Sequence, residues 1–401
     1  MCGKYGTEHP LYLSPAKRKE IGASLAASNK TTASAFTACT VDISSQSGYM
    51  RAIDWIDFLR YFLPTTVAEH FPDQKSKNAL LSLANICNIS FKKTITEHDL
   101  ESLAGSIKRW TSYLQFYVGR KQMKETVYTI SQHYLSHLVS TIRALGPPRY
   151  YSAFCMERAI GEIKQKVKSR SATGANAGKV MFSLAAERFC AKIQYRNPNP
   201  SKNENILSDS DESNSREIWG PLWTDNIGTY KNKYDLEQLL KDYWRVHIED
   251  TGEISTRIEA GSRLWISEQE IIGSCIRDRS IRRRDDFFTK MIIDVDMEKR
   301  SRVIRRQPVI YFGDVHFYFR HTQQSISRLL ALVEVFDVTV PKQKGFPYLQ
   351  EKAKSKFLVI SAGDIEAIAG RVDAQSGRKY VVWPELGPLK PQEVGTLRQL
   401  Y

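Results

Sequence analysis

Hydrophobic residues recur at helical spacing in the first half of the chain. In "DWIDFLRYFLP" (54–64), large apolar side chains occupy positions i, i+3, i+4 and i+7, starting at Trp55. This spacing predicts an amphipathic helix that Pro64 stops. In "TITEHDLESLAGSIKRWTSYLQFYVG" (94–119), Thr96 and Asp99 form a capping-box pair, and an apolar stripe follows. That segment predicts a second helix.

Three further helices are predicted downstream. The segment "MKETVYTISQHYLSHLVSTIRALGPP" (123–148) predicts one that ends at Gly146 and two prolines. The segments "SAFCMERAIGEIKQKVKSR" (152–170) and "GKVMFSLAAERFCAKIQY" (178–195) predict the other two. The buried stripe of the first of these is expected to contain Met156, Ile160, Ile163 and Val167.

The pattern changes to short apolar runs in the last hundred residues. Runs such as "PVIYFGDVHFYFRH", "RLLALVEVFDVTV" and "RKYVVWPEL" are rich in Val, Ile, Tyr and Phe, with Gly-Asp and Ser-Gly punctuation. They predict β-strands in a small antiparallel barrel or sandwich. The fold class is therefore expected to be α+β, with a helical N-terminal region followed by a β-rich C-terminal region.

These changes in composition and hydrophobic pattern divide the chain into five segments. The sequence predicts a loosely ordered start (1–50), a helical domain (51–195) and a polar, acidic linker (196–217). A mixed connecting region (218–306) and a β-rich domain (307–401) follow.

Charge adds a functional indication. The chain of 401 residues has a formal net charge of +14 and a pI of about 9.4. Such an excess favours polyanions, with nucleic acid first and an anionic membrane surface second, although solubility alone would also account for it.

The cysteines and the apolar runs bear on the compartment. The six cysteines are scattered, with no CxxC and no zinc spacing, which fits a reducing environment. No signal-peptide core is seen at the N-terminus, and no apolar run is long enough to span a bilayer. The protein is expected to be soluble, in the nucleus or the cytoplasm, not secreted, and without a membrane partner.

Glu157 is the first candidate for chemistry. It lies in the first turn of the predicted helix that begins near Ser152, in line with Gly161, Lys164 and Lys168. Gly161 would leave room for a ligand or another backbone, and the lysines would supply a positive face. A simple helix-start charge, favoured by the helix dipole, is the alternative interpretation.

Two pairs of residues have metal-ligand spacing. His133 and His137 lie at i and i+4, so they share a helix face and could bind zinc with a third ligand. Histidines hydrogen-bonded at the edge of a core are the alternative. Asp54 and Asp57 could hold Mg²⁺, but they also fit the polar side of an amphipathic helix.

Basic clusters provide candidate phosphate contacts. The runs are "KQKVKSR" (164–170), "RDRSIRRR" (277–284) and "EKRSRVIRR" (298–306). The residues expected to bind nucleic acid are Lys164, Lys166, Lys168, Arg170, Arg282, Arg283 and Arg284. Solvated surface charge is the alternative. No phosphate-binding loop, dinucleotide fingerprint or nucleophile elbow is found in the sequence.

The order of five short motifs resembles one family. Over residues 45–190 the chain is similar to the region that follows the catalytic core of CACTA-type (En/Spm-like) transposases. The motif positions that match are Trp55, Phe58, Leu63, Pro64, Thr96, Glu97, Asp99, Leu100, His133, His137, Gly146, Pro147, Phe154, Glu157, Arg158 and Gly161. A looser similarity extends over the β-rich C-terminal region.

The resemblance implies a mobile-element origin and association with DNA. Transposases of this kind cut DNA with an RNase H-like fold in which carboxylates hold two metal ions, and a late acid on a helix completes the site. Glu157 is the candidate for that acid. The resemblance would place the first two aspartates upstream of the matching region, and they are not expected in this chain, so Mg²⁺ or Mn²⁺ is expected only in an assembly with a catalytic core.

Three functions follow as expectations. The first is a transposase-derived, DNA-associated protein without autonomous catalysis. The second is part of an active metal-dependent transposase that supplies Glu157 to a partner holding the aspartates. The third is a protein-interaction module with no role in nucleic-acid binding.

Overall fold

The fold was obtained as a computed structural model. It describes residues 6–33, 36, 42–167, 171–196, 206–208, 216–248, 252–267, 270–276, 284–296, 306–342, 345–374 and 377–400. Helices predominate up to residue 196. They are α1 (Pro15–Ala27), α2 (Ile43–Gln46), α3 (Ala52–Asp57), α4 (Gln74–Ser90), α5 (Glu97–Gly119), α6 (Ile130–Leu135), α7 (Leu138–Leu145), α8 (Phe154–Lys166) and α9 (Thr173–Arg196).

Pro64 does not stop the first predicted helix. Helix α3 continues into a π-helix, Phe58–Val67, which contains Pro64. A π-helix has more residues per turn than an α-helix, so the i, i+3, i+4, i+7 spacing no longer selects one face. Trp55, on α3 before the π-helix, is 39% exposed, whereas Phe62 in the π-helix is fully buried. The hydroxyl of Thr65 donates to the carbonyl oxygen of Tyr61 beside the proline.

The remaining helix predictions are confirmed, with one division. Helix α5 begins with the expected reciprocal capping box of Thr96 and Asp99. The predicted helix over 123–148 is divided into α6 and α7, because the backbone turns between Leu135 and Leu138. Helix α7 ends where expected, at Gly146, whose φ of +81° is a conformation that glycine adopts without strain.

Strands predominate after residue 205. They are β1 (Ile206–Ser208), β2 (Glu217–Asn226), β3 (Arg257–Ser267), β4 (Glu270–Ile272), β5 (Phe288–Asp296), β6 (Arg306–Gln323), β7 (Ile326–Phe336), β8 (Tyr348–Leu349), β9 (Ser355–Ser361), β10 (Ile365–Ile368), β11 (Gly370–Asp373) and β12 (Lys379–Val382). Helices α10 (Lys231–Tyr234) and α11 (Leu236–His247) follow β2. The α+β class is thus confirmed.

The β region is an open sheet and not a closed barrel, so the barrel, one of the two forms that the sequence predicted, is wrong. Strands β1, β2, β3, β6, β5 and β10 neighbour one another in that order, and β11, β12 and β8 form a second, three-stranded sheet. The 18-residue strand β6 is central. Its first half pairs with β5 and its last part with β3, while β7 pairs along its other edge. Because β5 and β3 share one edge of β6, the sheet branches instead of closing on itself.

The largest hydrophobic core joins the two ends of the chain. Leu13, Ile21 and Leu25 around α1 pack in the same core as Tyr311 of β6 and Val381 of β12. The core therefore crosses the segment boundaries that the sequence predicts. In particular, α1 and its buried side chains lie in the part that was expected to be loosely ordered. Of the predicted linker (196–217), the structure describes Arg196 at the end of α9, β1, and residues 216–217, where β2 begins.

Two smaller cores complete the packing. Helix α11 covers the other face of the sheet, where Leu240 and Trp244 contact a layer that includes Phe317 and Phe319. Helices α4, α5 and α7 enclose a separate core around Trp110. None of the helices in the described part of the chain is long and apolar enough to cross a bilayer.

Candidate nucleic-acid interface on helices α6 to α9

The segment from Tyr128 to Arg196, here called the α6–α9 segment, carries much of the positive charge of the chain. It contains eleven Lys and Arg residues and three Glu residues, which gives a formal charge of +8 out of the +14 of the whole chain. Such a concentration of positive charge attracts a polyanion.

Large apolar side chains are exposed on the same segment. Of the seventeen large hydrophobic residues that are exposed in the described part of the chain, eleven lie here. They are Tyr128, Ile130, Tyr134, Leu145, Tyr150, Tyr151, Met156, Ile160, Met181, Phe182 and Phe189. An exposed apolar surface of this extent is typical of an interaction site.

The predicted buried stripe of α8 is therefore wrong in part. Met156 is 69% exposed and Ile160 is 59% exposed, while Ile163 is half-buried. Periodicity identifies which face of a helix is apolar, but it does not identify what covers that face. Within the described residues, this face of α8 remains largely uncovered.

The segment is attached to the helical core through α6 and α7. The indole nitrogen of Trp110 on α5 donates to the side-chain oxygen of Gln132 over 2.8 Å. Arg143 on α7 forms an ion pair with Glu97 at the start of α5, and Ile142 is buried in the core of α4, α5 and α7. These contacts hold the beginning of the segment in place.

Helices α8 and α9 form a hairpin that two ion pairs join. Arg188 contacts Glu162 over 2.6 Å, and Lys166 contacts Glu187 over 3.8 Å. In α9, Leu184 is buried whereas Phe182 is 78% exposed. The two helices thus bind each other through charged side chains and leave much of their apolar surface exposed.

Glu157 is exposed in the first turn of α8. The glycine one turn later, Gly161, is open: a Cβ atom added there would meet no atom within 4 Å. The space that the sequence predicts beside Glu157 is therefore present in the described structure. Both the interpretation as a functional acid and that as a helix-start charge agree with this position.

The described residues do not provide a two-metal centre around Glu157. They contain no group of three or more His, Cys, Asp or Glu side chains that could hold a metal ion. One carboxylate is too few for a two-metal site. We therefore derive no catalytic step through Mg²⁺ or Mn²⁺ in this chain.

The basic candidates have different surroundings. Lys164 and Lys166 are exposed on α8, and Lys166 shares the ion pair with Glu187. Arg284 is half-buried, and its guanidinium donates to the carbonyl oxygen of Phe36 over 2.9 Å, so it holds the N-terminal part of the chain. Four candidates lie outside the described residues: Lys168, Arg170, Arg282 and Arg283.

His133 and His137 are exposed, and the structure brings them together. Their Nε2 atoms lie 3.2 Å apart. Leu135 and Leu138 beside them pack against the core of α4, α5 and α7, whereas Ile130 and Tyr134 are 64% and 63% exposed. The two rings are within hydrogen-bond distance of each other near the edge of this core, which agrees with the alternative interpretation.

The remaining motif positions lie on separate elements. Trp55 is on α3, and Gly146 and Pro147 form the turn between α7 and the 3₁₀-helix Pro148–Tyr150. Arg158 lies on α8, and the structure describes its backbone alone. These motif residues therefore lie along the helical region without forming one common site.

The aspartates Asp54 and Asp57 do not form the polar surface that the sequence favoured, because both are buried. Asp54 accepts hydrogen bonds from the backbone and the guanidinium of Arg51. These hydrogen bonds, with the guanidinium contributing most, lower the pKa of the Asp54 carboxyl. Asp54 therefore acts as a capping residue of α3.

A polar network inside the sheet was not predicted. The hydroxyl of Tyr234 and Nδ1 of His316 lie 2.9 Å apart, and Nε2 of His316 lies 3.4 Å from a carboxylate oxygen of Glu334. Asp314 on β6 lies 3.3 Å from the guanidinium of Arg371. Burial raises the pKa of Asp314 to about 6, although the charge of Arg371 opposes this rise.

The sequence feature that could have indicated this network is the dipeptide Gly313–Asp314, which is also typical of a turn between two strands. It lies instead in the middle of β6, where a Cβ atom on Gly313 would come within 2.5 Å of the carbonyl oxygen of Glu334. Glycine is required there because strands pack closely, and no turn forms. Residues from β6, β7 and β11 meet only after the sheet assembles, so sequence spacing could not group them.

Comparisons with known proteins give no further guidance. The sequence matches no family model, and it is similar to no curated protein and to no solved structure.

Proposed function

We propose that this chain is a transposase-derived, DNA-associated protein that lacks catalysis on its own. The observation that carries the proposal is the combination of positive charge and exposed aromatic side chains on the α6–α9 segment. The order of the motifs in the sequence supports the transposase origin. A nuclear protein would meet DNA directly, which makes the nucleus the proposed compartment.

The chemistry of the segment supports binding to a nucleic-acid backbone. Lys164 and Lys179 are exposed and can neutralise phosphates, which raises affinity without reading the base sequence. Tyr150 and Phe182 are 68% and 78% exposed, and such rings stack on bases that are unpaired. Basic side chains interleaved with aromatic rings are typical of surfaces that bind nucleic acid.

Salt dependence tests the proposal. We expect double-stranded DNA to bind the full chain with an affinity that falls steeply as salt rises. Replacing both Lys164 and Lys179 with glutamine should weaken binding at low salt and reduce the log–log salt slope by about 2, because each lost phosphate contact removes about one released counterion. Fluorescence anisotropy of a labelled duplex at several salt concentrations measures both quantities.

A matched control uses two exposed lysines of the β region, Lys342 and Lys352. Their replacement by glutamine removes the same charge and should leave the slope unchanged. Equal slopes for the two double variants would contradict binding through the α6–α9 segment. Retention of DNA that does not depend on salt would contradict the proposal as a whole.

A second candidate function is a part of an active transposase. The exposure of Glu157 beside the open Gly161 favours it, because a late acid must face a partner that holds the aspartates. The exposed apolar face of α8 and α9 would then dock on that catalytic core. Here Mg²⁺ or Mn²⁺ belongs to the assembly with the core.

Reconstitution with an aspartate-bearing core tests this second function. Nicking of DNA that requires Mg²⁺ or Mn²⁺ should be lost in Glu157→Gln and retained in Glu101→Gln, which alters an exposed carboxylate on α5. Equal nicking by wild type and Glu157→Gln would exclude the role of Glu157. Binding to the core without any binding to DNA would favour the interaction module.

A further inference from the structure

The exposed histidine pair of the α6–α9 segment has the geometry of a chelating site. His133 lies in α6, and His137 is the residue before α7. Their ring centroids are 4.8 Å apart and the ring planes are inclined by 73°, so the rings meet edge to face instead of stacking. Both side chains are exposed, so an ion in water can reach them.

The distance between the two nitrogens matches a shared metal ion. The Nε2 atoms lie 3.2 Å apart. Two imidazole nitrogens that bind one ion at about 2.0–2.1 Å lie about 2.9–3.4 Å apart when the angle at the ion ranges from square-planar to tetrahedral. The same distance fits a hydrogen bond between the two rings, so an ion would replace the proton that the two nitrogens share.

Hydrogen bonds to the backbone keep the two residues about one helical turn apart. The carbonyl oxygen of His133 accepts the hydroxyl of Ser136, and the carbonyl oxygen of His137 accepts the backbone N–H of Thr141. The backbone N–H of His137 donates to the carbonyl oxygen of Tyr134. The two histidines thus keep helix-like spacing although α6 and α7 are separate helices.

We propose that His133 and His137 together bind one divalent transition-metal ion, such as Ni²⁺, Cu²⁺ or Zn²⁺. Neutral imidazole suits these ions, whereas Mg²⁺ prefers oxygen ligands. The described residues supply two ligands, so the other coordination positions are open to water or to a donor from a partner. The site does not depend on DNA binding or on Glu157.

Isothermal titration of the metal-free, untagged full chain with NiCl₂ tests the site. We expect one ion to bind per chain, and His137→Ala to weaken binding by at least about tenfold, since one of two protein ligands is lost. MgCl₂ should give no comparable binding.

His98→Ala is the matched control, because His98 is an exposed histidine on the neighbouring helix α5. This variant should bind Ni²⁺ like the wild type. A second measurement is thermal: Ni²⁺ should raise the unfolding temperature of the wild type and of His98→Ala, but not that of His137→Ala. Equal affinities of wild type, His137→Ala and the double variant His133→Ala/His137→Ala would overturn the proposal, whatever the outcome of the DNA measurements.

Discussion

Individual side chains in this protein titrate according to their surroundings, and Asp364 is the clearest case. It lies in the 3₁₀-helix Ala362–Asp364, between β9 and β10. Burial raises the pKa of its carboxyl to about 7, and the nearby charge of Asp294 acts in the same direction. The backbone N–H of Ser361, which donates to the carboxylate, opposes this rise but does not cancel it.

A raised carboxyl pKa makes the folded state less stable at high pH. The folded protein favours the protonated form of Asp364. The stabilisation that this form gives is fully present below the unfolded pKa of about 4, and it is lost progressively as the pH rises to about 7. Asparagine cannot ionise and keeps an acceptor for Ser361. We expect the free energy of unfolding of Asp364→Asn, relative to that of wild type, to increase by about 1–3 kcal/mol from pH 5 to pH 8.

Urea unfolding at pH 5 and pH 8 measures this gain. If the difference between Asp364→Asn and wild type were the same at both pH values, the carboxyl would not titrate in this range, and the explanation by burial would be wrong.

Helix α5 shows how much one capping residue contributes at the scale of an element. The hydroxyl of Thr96 accepts the backbone N–H of Asp99, and the Asp99 carboxylate accepts the N–H of Thr96. Each bond satisfies a backbone donor that the helix itself leaves unpaired. We expect Thr96→Ala to destabilise the protein by about 1 kcal/mol.

The comparison for this prediction is Thr94→Ala. Thr94 is exposed and lies two residues before the cap, so its replacement removes the same group without removing a cap. Its effect should stay within about 0.5 kcal/mol. Chemical denaturation of the two variants under one set of conditions measures both values. A loss as large for Thr94→Ala as for Thr96→Ala would show that the capping box is not the cause.

The hairpin of α8 and α9 shows the limit of reasoning about single elements. The apolar positions of α8 follow the helical period, as in a buried helix, yet Met156 and Ile160 are exposed. The pattern alone was expected to mean burial. The pattern indicates an apolar face, and within the described residues that face is largely exposed.

Across the whole molecule, the largest core ties the first helix to the last strands. Leu25 on α1 is fully buried in the core that also contains Val381 and Val382 of β12. We expect Leu25→Ala to cost about 2–5 kcal/mol, because it leaves a cavity where helix and sheet meet. The loss should appear in the unfolding of the sheet as well as of the helices.

Circular dichroism at wavelengths that report helix and strand, followed through urea unfolding, measures this coupling. Leu145→Ala is the matched control, because Leu145 is 65% exposed and its truncation should cost less than about 0.5 kcal/mol. If Leu25→Ala lowered the helical transition alone, the N-terminal helices and the sheet would unfold independently.

Local patterns were sufficient for most elements. The stripe and cap of α5, the end of α7 at Gly146, and the long apolar runs of β6 and β7 each specify their structure through neighbours in sequence. The candidate site was partly predictable for the same reason. His133 and His137 meet because a helical spacing of four places two side chains on one face.

The sequence by itself determined the α+β class, most helices and strands, and the positive charge of the α6–α9 segment. All of these depend on local propensity, on periodicity or on composition. Only the tertiary structure decided which apolar faces are covered, that Asp54 and Asp57 are buried, that Pro64 lies within a helix, and that Asp314 meets Arg371. Each of these depends on residues far apart in the chain, or on a packing partner that a period of 3.6 or 2 does not specify.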